Sequence, residues 1–183
     1  MQINLSQFNN SWYNPGAGKI RLLLWYFINS VFMKSAWFPI SRVKVALLRN
    51  FGANVGKGVH IKPCVNIKYP WRLNIGDYTW IGENVWIDNL DNVAIGTNCC
   101  ISQGAMLLCG NHNYKTKTFD LITKSIIIED GVWIGAKSIV CPGITCGMYS
   151  ILTVGSVATK NMEPHGIYQG NPAILIRKRY IAE

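Results

Sequence analysis

An apolar residue returns at every sixth position through most of this chain. It does so at Ile75, Ile81 and Ile87, then at Ile95, Ile101 and Leu107, then at Ile128, Ile134, Val140, Cys146 and Leu152. Gly commonly follows it, as in Ile75-Gly76, Ile81-Gly82, Ile95-Gly96 and Ile134-Gly135. A small or β-branched residue often falls four places on: Thr79, Val85, Cys99, Ala105, Val132, Ser138, Ile144, Ser150, Ser156. Helices repeat at 3.6 residues and strands at 2, so a period of six belongs to neither. It is the mark of a parallel β-helix. Three hexads per turn make a triangular prism, with Gly expected at the corners. A single coil cannot bury its inward face, so the core comes from stacking.

The interruptions are as informative as the period. Hexads begin at Val55 and Val59, stumble at Tyr69-Pro70-Trp71, and slip by two residues between Ile87 and Ile95. From Leu107 to Ile128 the period disappears, and the polar stretch from Asn111 to Asp120 reads as a loop ejected from the coil over about 109–125. Long loops in compact domains usually carry function. Three segments follow: an N-terminal arm and helical cap over 1–52, the β-helix over 53–160, and a basic C-terminal segment over 161–183. Within the first, residues 1–16 read as a turn or loose arm. Leu22 to Ile28 and Val31 to Met33 read as helix, and Ser41 is placed to cap a second helix ending near Asn50 and Gly52. The first apolar run is too short to span a bilayer. A cap over the solenoid end is the preferred reading. The alternative is an interfacial helix at a membrane, with Lys19, Arg21, Lys34, Arg42 and Lys44 facing lipid phosphates.

A formal charge of +9 calls for an anionic partner. The cations are scattered apart from Arg177-Lys178-Arg179, and no nucleic-acid-binding signature appears, so nucleic acid is not the expected partner. The six cysteines show neither a C-x-x-C pair nor a companion histidine spacing, which argues against zinc; they read as buried free thiols. The opening residues are polar and lack a basic start, so a cytoplasmic location is expected, with the inner face of the membrane as its variant. Trp80, Trp86, Trp133 and Tyr149 would make outer faces unusually apolar, which suggests that neighbouring subunits cover them.

Four segments carry a family resemblance: Ile128-Glu-Asp-Gly-Val-Trp-Ile-Gly-Ala136, Pro142-Gly-Ile144, Val154 to Lys160, and Gly170-Asn-Pro-Ala173. Together they resemble the hexapeptide-repeat acyltransferases. Within these, the chain is most similar to the galactoside and maltose sugar O-acetyltransferases and, closer still, to those of colanic acid biosynthesis. That closer likeness includes the N-terminal helical region and Cys100-Ile-Ser-Gln-Gly-Ala105, and so covers nearly the whole chain. The resemblance implies a left-handed parallel β-helix, a homotrimer, and active sites in clefts between subunits. It also implies acetyl-CoA as donor, with its pantetheine arm along the coils and no metal.

Acetyl transfer to a hydroxyl needs a base, and histidine suits neutral pH. Of His60, His112 and His165, only His112 stands at the root of the ejected loop, where the resemblance places the catalytic histidine. Relatives often carry Asp next, whereas this chain has Asn113, so the orienting partner is either a backbone carbonyl or a carboxylate such as Asp88. The resemblance assigns the oxyanion donor to the Ala136 amide. Trp133 reads as a wall of the CoA cleft, with simple packing at the subunit interface as the alternative. The resemblance places further cofactor contacts at Val154, Thr159, Lys160 and Arg177. Ile174 stands where many members have a cation, so one phosphate contact is either missing or supplied by Lys178 or Arg179. Asp88, Asn89 and Tyr114 are the candidates for binding the acceptor, a small-molecule or lipid-linked sugar. An amine acceptor is the alternative, using the same fold and donor. A non-enzymatic scaffold, or a γ-carbonic-anhydrase-like zinc protein, is the remaining one.

Overall fold

In the computed structural model, which describes residues 3–180, the hexads wind into a solenoid with three parallel faces. The first face stacks Asn54–Val55, Leu73–Ile75, Val93–Ile95, Ile126–Ile128 and Thr145–Cys146. The second stacks His60–Ile61, Trp80–Ile81, Cys100–Ile101, Trp133–Ile134, Ile151–Leu152 and Gly166–Gly170. The third stacks Asn66–Ile67, Trp86–Asp88, Met106–Leu108, Ile139–Val140 and Val157–Ala158. The hexad aliphatics point inward, and so do the small residues four places on, from Thr79 to Ser156.

The glycine after each aliphatic is needed for a reason other than turning. A Cβ on Gly135 would stand 2.6 Å from Val154 N, and one on Gly76 would stand 2.6 Å from Gly96 C and Thr97 N. The coils therefore touch backbone to backbone at these points. Left-handed backbone falls two residues later instead, where Lys137 has φ 56° and Tyr78 has φ 55°.

The registers locate the irregularities. Before the ejected segment, stacked partners lie twenty residues apart, as in Asn54 with Asn74 and Trp80 with Cys100. After it they lie eighteen apart, as in Trp133 with Ile151 and Ile139 with Val157. Every extra residue sits at the corner between the third and first faces: 68–72 in one coil, 88–92 in the next, 109–125 in the third. The three interruptions of the period are thus stacked on one edge.

The ejected segment is itself ordered. Gly110–His112 and Leu121–Thr123 form an antiparallel hairpin, with His112 opposite Leu121.

The N-terminal cap consists of α1 (Lys19–Ile28), a π-helical turn (Asn29–Met33) and α2 (Ser41–Asn50). It ties up the open edge of the first coil, whose backbone groups have no strand beyond them. Trp25 Nε1 donates to Ile67 O (2.8 Å), Arg49 Nη2 to Val55 O (2.7 Å), and Lys44 Nζ to Lys62 O (2.8 Å). This corrects two expectations. Ser41 is not the cap of α2, where Ile40 takes that place without a side-chain bond; the Ser41 hydroxyl instead accepts from Ile61 N at 2.8 Å. Lys44 does not face lipid, because it is fully buried, and burial lowers its pKa.

Beyond Ala158 the hexad pattern ends but the second face continues. Gly166–Gly170 pairs with the Ile151–Leu152 strand, and Ala173–Lys178 folds back antiparallel on it. Trp80, Trp86 and Trp133 are exposed on the outer faces, but Tyr149 is not: its ring covers Gly131 at a corner and lies 5.2 Å from that of His165.

Candidate active site

His112 ends the first hairpin strand, and its ring is fixed on three sides. Nδ1 lies 2.8 Å from the carbonyl oxygen of Phe119. A carbonyl can only accept, so Nδ1 carries a proton, and in the neutral ring the lone pair is on Nε2. The Phe119 ring stacks on the imidazole at 4.5 Å and 6°, and Phe8 of the N-terminal arm packs at 5.7 Å. Phe119 has φ 53°, a left-handed conformation that turns its carbonyl back across the hairpin. The orienting partner is therefore backbone. Asn113 is occupied elsewhere: its side chain accepts from Lys115 N at 3.1 Å, in a turn at the hairpin tip.

A cavity of about 710 Å³ opens beside His112, lined by Phe8, Tyr13, Lys68, Tyr69, Asp88 and Leu90 among others. Its walls come from the stacked irregular edge and from the arm. The arm is not loose: Asn4 N donates to Lys117 O at 2.9 Å, Tyr13 Oη to Leu90 O at 2.7 Å, and Trp71 Nε1 to Pro15 O at 2.7 Å. Arg72 reaches both Leu90 O and Asn14 O. Lys68 Nζ lies 3.0 Å from Asp88 Oδ1, although no donor is aligned on that buried oxygen. Lys68, Tyr69 and Asp88 also line a second cavity of about 370 Å³, whose other wall is Trp25, Tyr26, Asn29 and Lys34 of the helical cap. The two cavities adjoin and lead from His112 to the inner side of α1.

The acceptor candidates separate here. Asp88 lines the His112 cavity. Asn89 does not leave the coil: it is fully buried, with Oδ1 accepting from Tyr69 N (2.9 Å) and Nδ2 donating to Tyr69 O (2.6 Å). Its amide pins the first irregular corner to the second and has no polar group to spare. Tyr114 stands 73% exposed at the hairpin tip, outside the cavity lining.

Trp133, Ala136 and Val154 gather at a different corner, between the second and third faces. With Ser102, Gln103, Gly135, Ile151, Leu152 and Thr153 they form a cleft of about 360 Å³. Trp133 Nε1 donates to Ser102 Oγ at 2.9 Å, which lays the indole along the stack. Among the described residues, the amides of Gln103, Ala136 and Val154 make no hydrogen bond, while Gly135 N bonds Leu152 O and Lys137 N bonds Gln103 O. One open N–H per coil therefore faces the cleft. An apolar groove with amide donors at coil spacing fits a pantetheine arm, and Ala136 is one of three amides able to hold an oxyanion.

Thr159, Lys160 and Arg177 are exposed and outside this cleft in a single chain. The substitutes considered for a cation at 174 are engaged: Lys178 Nζ with Glu163 Oε2 at 2.7 Å, and Arg179 Nη1 with Gly131 O at 3.1 Å. His60 lies against Trp80 on an outer face and His165 sits in a turn at φ 59°. No cluster of three His, Cys, Asp or Glu side chains is placed to hold a metal among the described residues. Among the described residues, no helix is long and apolar enough to cross a membrane.

No family model matches the chain. Among curated proteins, it is 35% identical over 170 residues to a protein named as the colanic acid biosynthesis acetyltransferase WcaF of Escherichia coli K12, covering 92% of each. It is 29% identical over 136 residues to the galactoside O-acetyltransferase of the same organism, covering 73% of this chain and 67% of that one. Among solved structures, a galactoside acetyltransferase in complex with coenzyme A superposes with a TM-score of 0.76 at 25% identity, covering 87% of this chain and 80% of that one. A hexapeptide-repeat acetyltransferase from Vibrio cholerae superposes at 0.79 with 23% identity, covering 89% and 94%. The solenoid, the sequence likeness to WcaF and the two corner sites lead to one assignment: the chain belongs to the hexapeptide-repeat acetyltransferases, enzymes built on a left-handed parallel β-helix.

Proposed function

We propose that the protein transfers an acetyl group from acetyl-CoA to a sugar hydroxyl, on a surface polysaccharide or its lipid-linked precursor, with His112 as general base. The observation that carries this reading is the Nδ1 contact to Phe119 O, which leaves Nε2 as a free base at the mouth of a cavity. His112 Nε2 takes the proton of the acceptor hydroxyl as its oxygen attacks the thioester carbonyl. The Ala136 N–H holds the resulting oxyanion. Collapse breaks the carbon–sulfur bond, and imidazolium returns the proton to the leaving thiolate, so no acyl-enzyme forms.

His112 and Ala136 occupy different corners of one chain and different cavities. A working site therefore pairs the hairpin of one protomer with the cleft of its neighbour, as in a homotrimer whose contacts cover Trp80 and Trp133. Thr159, Lys160 and Arg177 supply donors and charge for the nucleotide end of CoA. Asp88 receives a sugar hydroxyl, and the second cavity leaves room for more of a glycan, or for the linker to a lipid.

The test is an acceptor panel of mono- and oligosaccharides with acetyl-CoA, reading CoA release and the mass of the product. A base-labile ester whose formation is lost in His112→Ala is the expected result. An amide product, or an undiminished rate in the variant, overturns the reading.

A further inference from the structure

Ile20, Leu23, Leu24, Phe27 and Val31 fall at i, i+3, i+4, i+7 and i+11, the positions of one helical stripe, and all five are exposed. The opposite side of the same helix buries Trp25 and Asn29 against the solenoid. Trp37 continues the outer surface at 74% exposed. A helix apolar on both sides, with only one side packed, lacks a partner for the other.

Charge identifies that partner. Residues 1–76 contain ten Lys and Arg and no Asp or Glu, whereas residues 77–183 contain eight and nine. The whole positive excess of the chain thus lies in the arm, the cap and the first coil. Lys19, Lys34 and Arg42 are exposed on the cap, and none forms an ion pair among the described residues. A second copy of this surface would bring cation against cation, and a neutral apolar partner would leave the cations idle. An apolar stripe rimmed by cations and free of carboxylates suits an anionic lipid interface.

We propose that α1 and the following π-helical turn lie in the plane of an anionic membrane, with the stripe in the acyl boundary and Lys19, Lys34 and Arg42 at headgroup phosphates. The cavity on the inner side of α1 adjoins the His112 cavity through Lys68, Tyr69 and Asp88. Docking by this face brings the lipid surface within one helix diameter of the acceptor groove. The proposal concerns binding alone and stands or falls apart from the chemistry at His112.

The experiment is flotation of the full chain with phosphatidylcholine vesicles containing about 30% phosphatidylglycerol, against phosphatidylcholine alone, near 0.1 M salt. Wild type should float with the anionic vesicles, with partitioning at least about tenfold weaker on the neutral ones. The double variant Leu23→Glu, Phe27→Glu should lose about tenfold or more of the binding while keeping the wild-type melting temperature and elution volume. Its acetyl transfer to a soluble sugar should stay within about twofold, since neither side chain lines either cavity. A second variant, Lys19→Glu with Lys34→Glu, should remove the anionic preference even if the first were to misfold. Failure of wild type to float, flotation of the Glu variants like wild type, or a larger assembly that the Glu variants disperse would each overturn the proposal. The last outcome would give the face to a second copy of this chain.

Discussion

The corner that holds Ala136 and the corner that holds His112 are built on opposite terms. At the first, three successive coils repeat the same turn, and each leaves one amide free: Gln103, Ala136 and Val154. If that corner holds the oxyanion as proposed, side-chain identity there matters little, because the backbone supplies the donor. At the second, no two coils are alike. The corner carries a 3₁₀ turn at Pro70–Arg72, then a slip held by Asn89, then a hairpin, and particular side chains make the cavity. On the proposed reading, the repeat provides a surface for what is constant in the reaction, the CoA arm, and departures from the repeat shape the part that must be selective, the acceptor.

The sharpest way to break this division is to separate the two corners onto different protomers. His112→Ala alone should lower kcat by about 10³-fold, and Val154→Trp should block the cleft from its exposed edge. Refolding the two variants together in equal amounts should restore about a quarter of the wild-type rate if the site spans a subunit boundary. No recovery in the mixture would place both halves in one chain.

Gly135→Ala tests the repeat side. Its Cβ would meet Val154 N at 2.6 Å and Leu152 O at 2.7 Å, so a stability loss of about 3 kcal/mol is expected, read as a fall in melting temperature. Phe119→Ala tests the other side. The backbone carbonyl remains but the stacked ring is lost, and kcat should fall about tenfold with KM for acetyl-CoA unchanged.

A smaller effect concerns the core between the corners. Burial pushes the Cys146 thiol from 9.0 up to about 12. The folded state then holds a proton that the unfolded chain releases, so this stabilisation is complete below pH about 9 and is lost as pH rises towards about 12. Melting temperature should fall less steeply over that range in Cys146→Ala than in wild type. The smallest expected change is Ala136→Ser: with only the backbone N–H in use, activity should stay within about twofold.

Much of this was legible in the sequence, and the reason is periodicity. A six-residue repeat specifies which residues face inward, and the buried set from Val55 to Ala158 follows it. The ejected segment and His112 stand out as its largest interruption. Gly135 stands at a corner as its place after Ile134 predicts, but the period alone does not say why a glycine is required there: stacked backbones approach too closely for a Cβ. Asn89 differs from its expectation because a polar residue at a slip looks free, whereas the slip leaves Tyr69 backbone groups that the Asn89 amide satisfies. Phe119 carries no sequence signal: the stacked ring and the bent carbonyl depend on a hairpin that polar composition conceals. Phe8 and Tyr13 reach the site across more than seventy residues of chain, beyond any local pattern.

The hairpin leaves the stack without disturbing it. Met106 still lies over Trp86 and under Ile139, and Ala94 lies directly beneath Ile127, as though the intervening residues were not there. A segment that can be removed from the register without breaking it can also be exchanged. With the acceptor bound at this edge as proposed, its range can change by exchange of one excursion, while the coils that would hold the acetyl donor stay as they are.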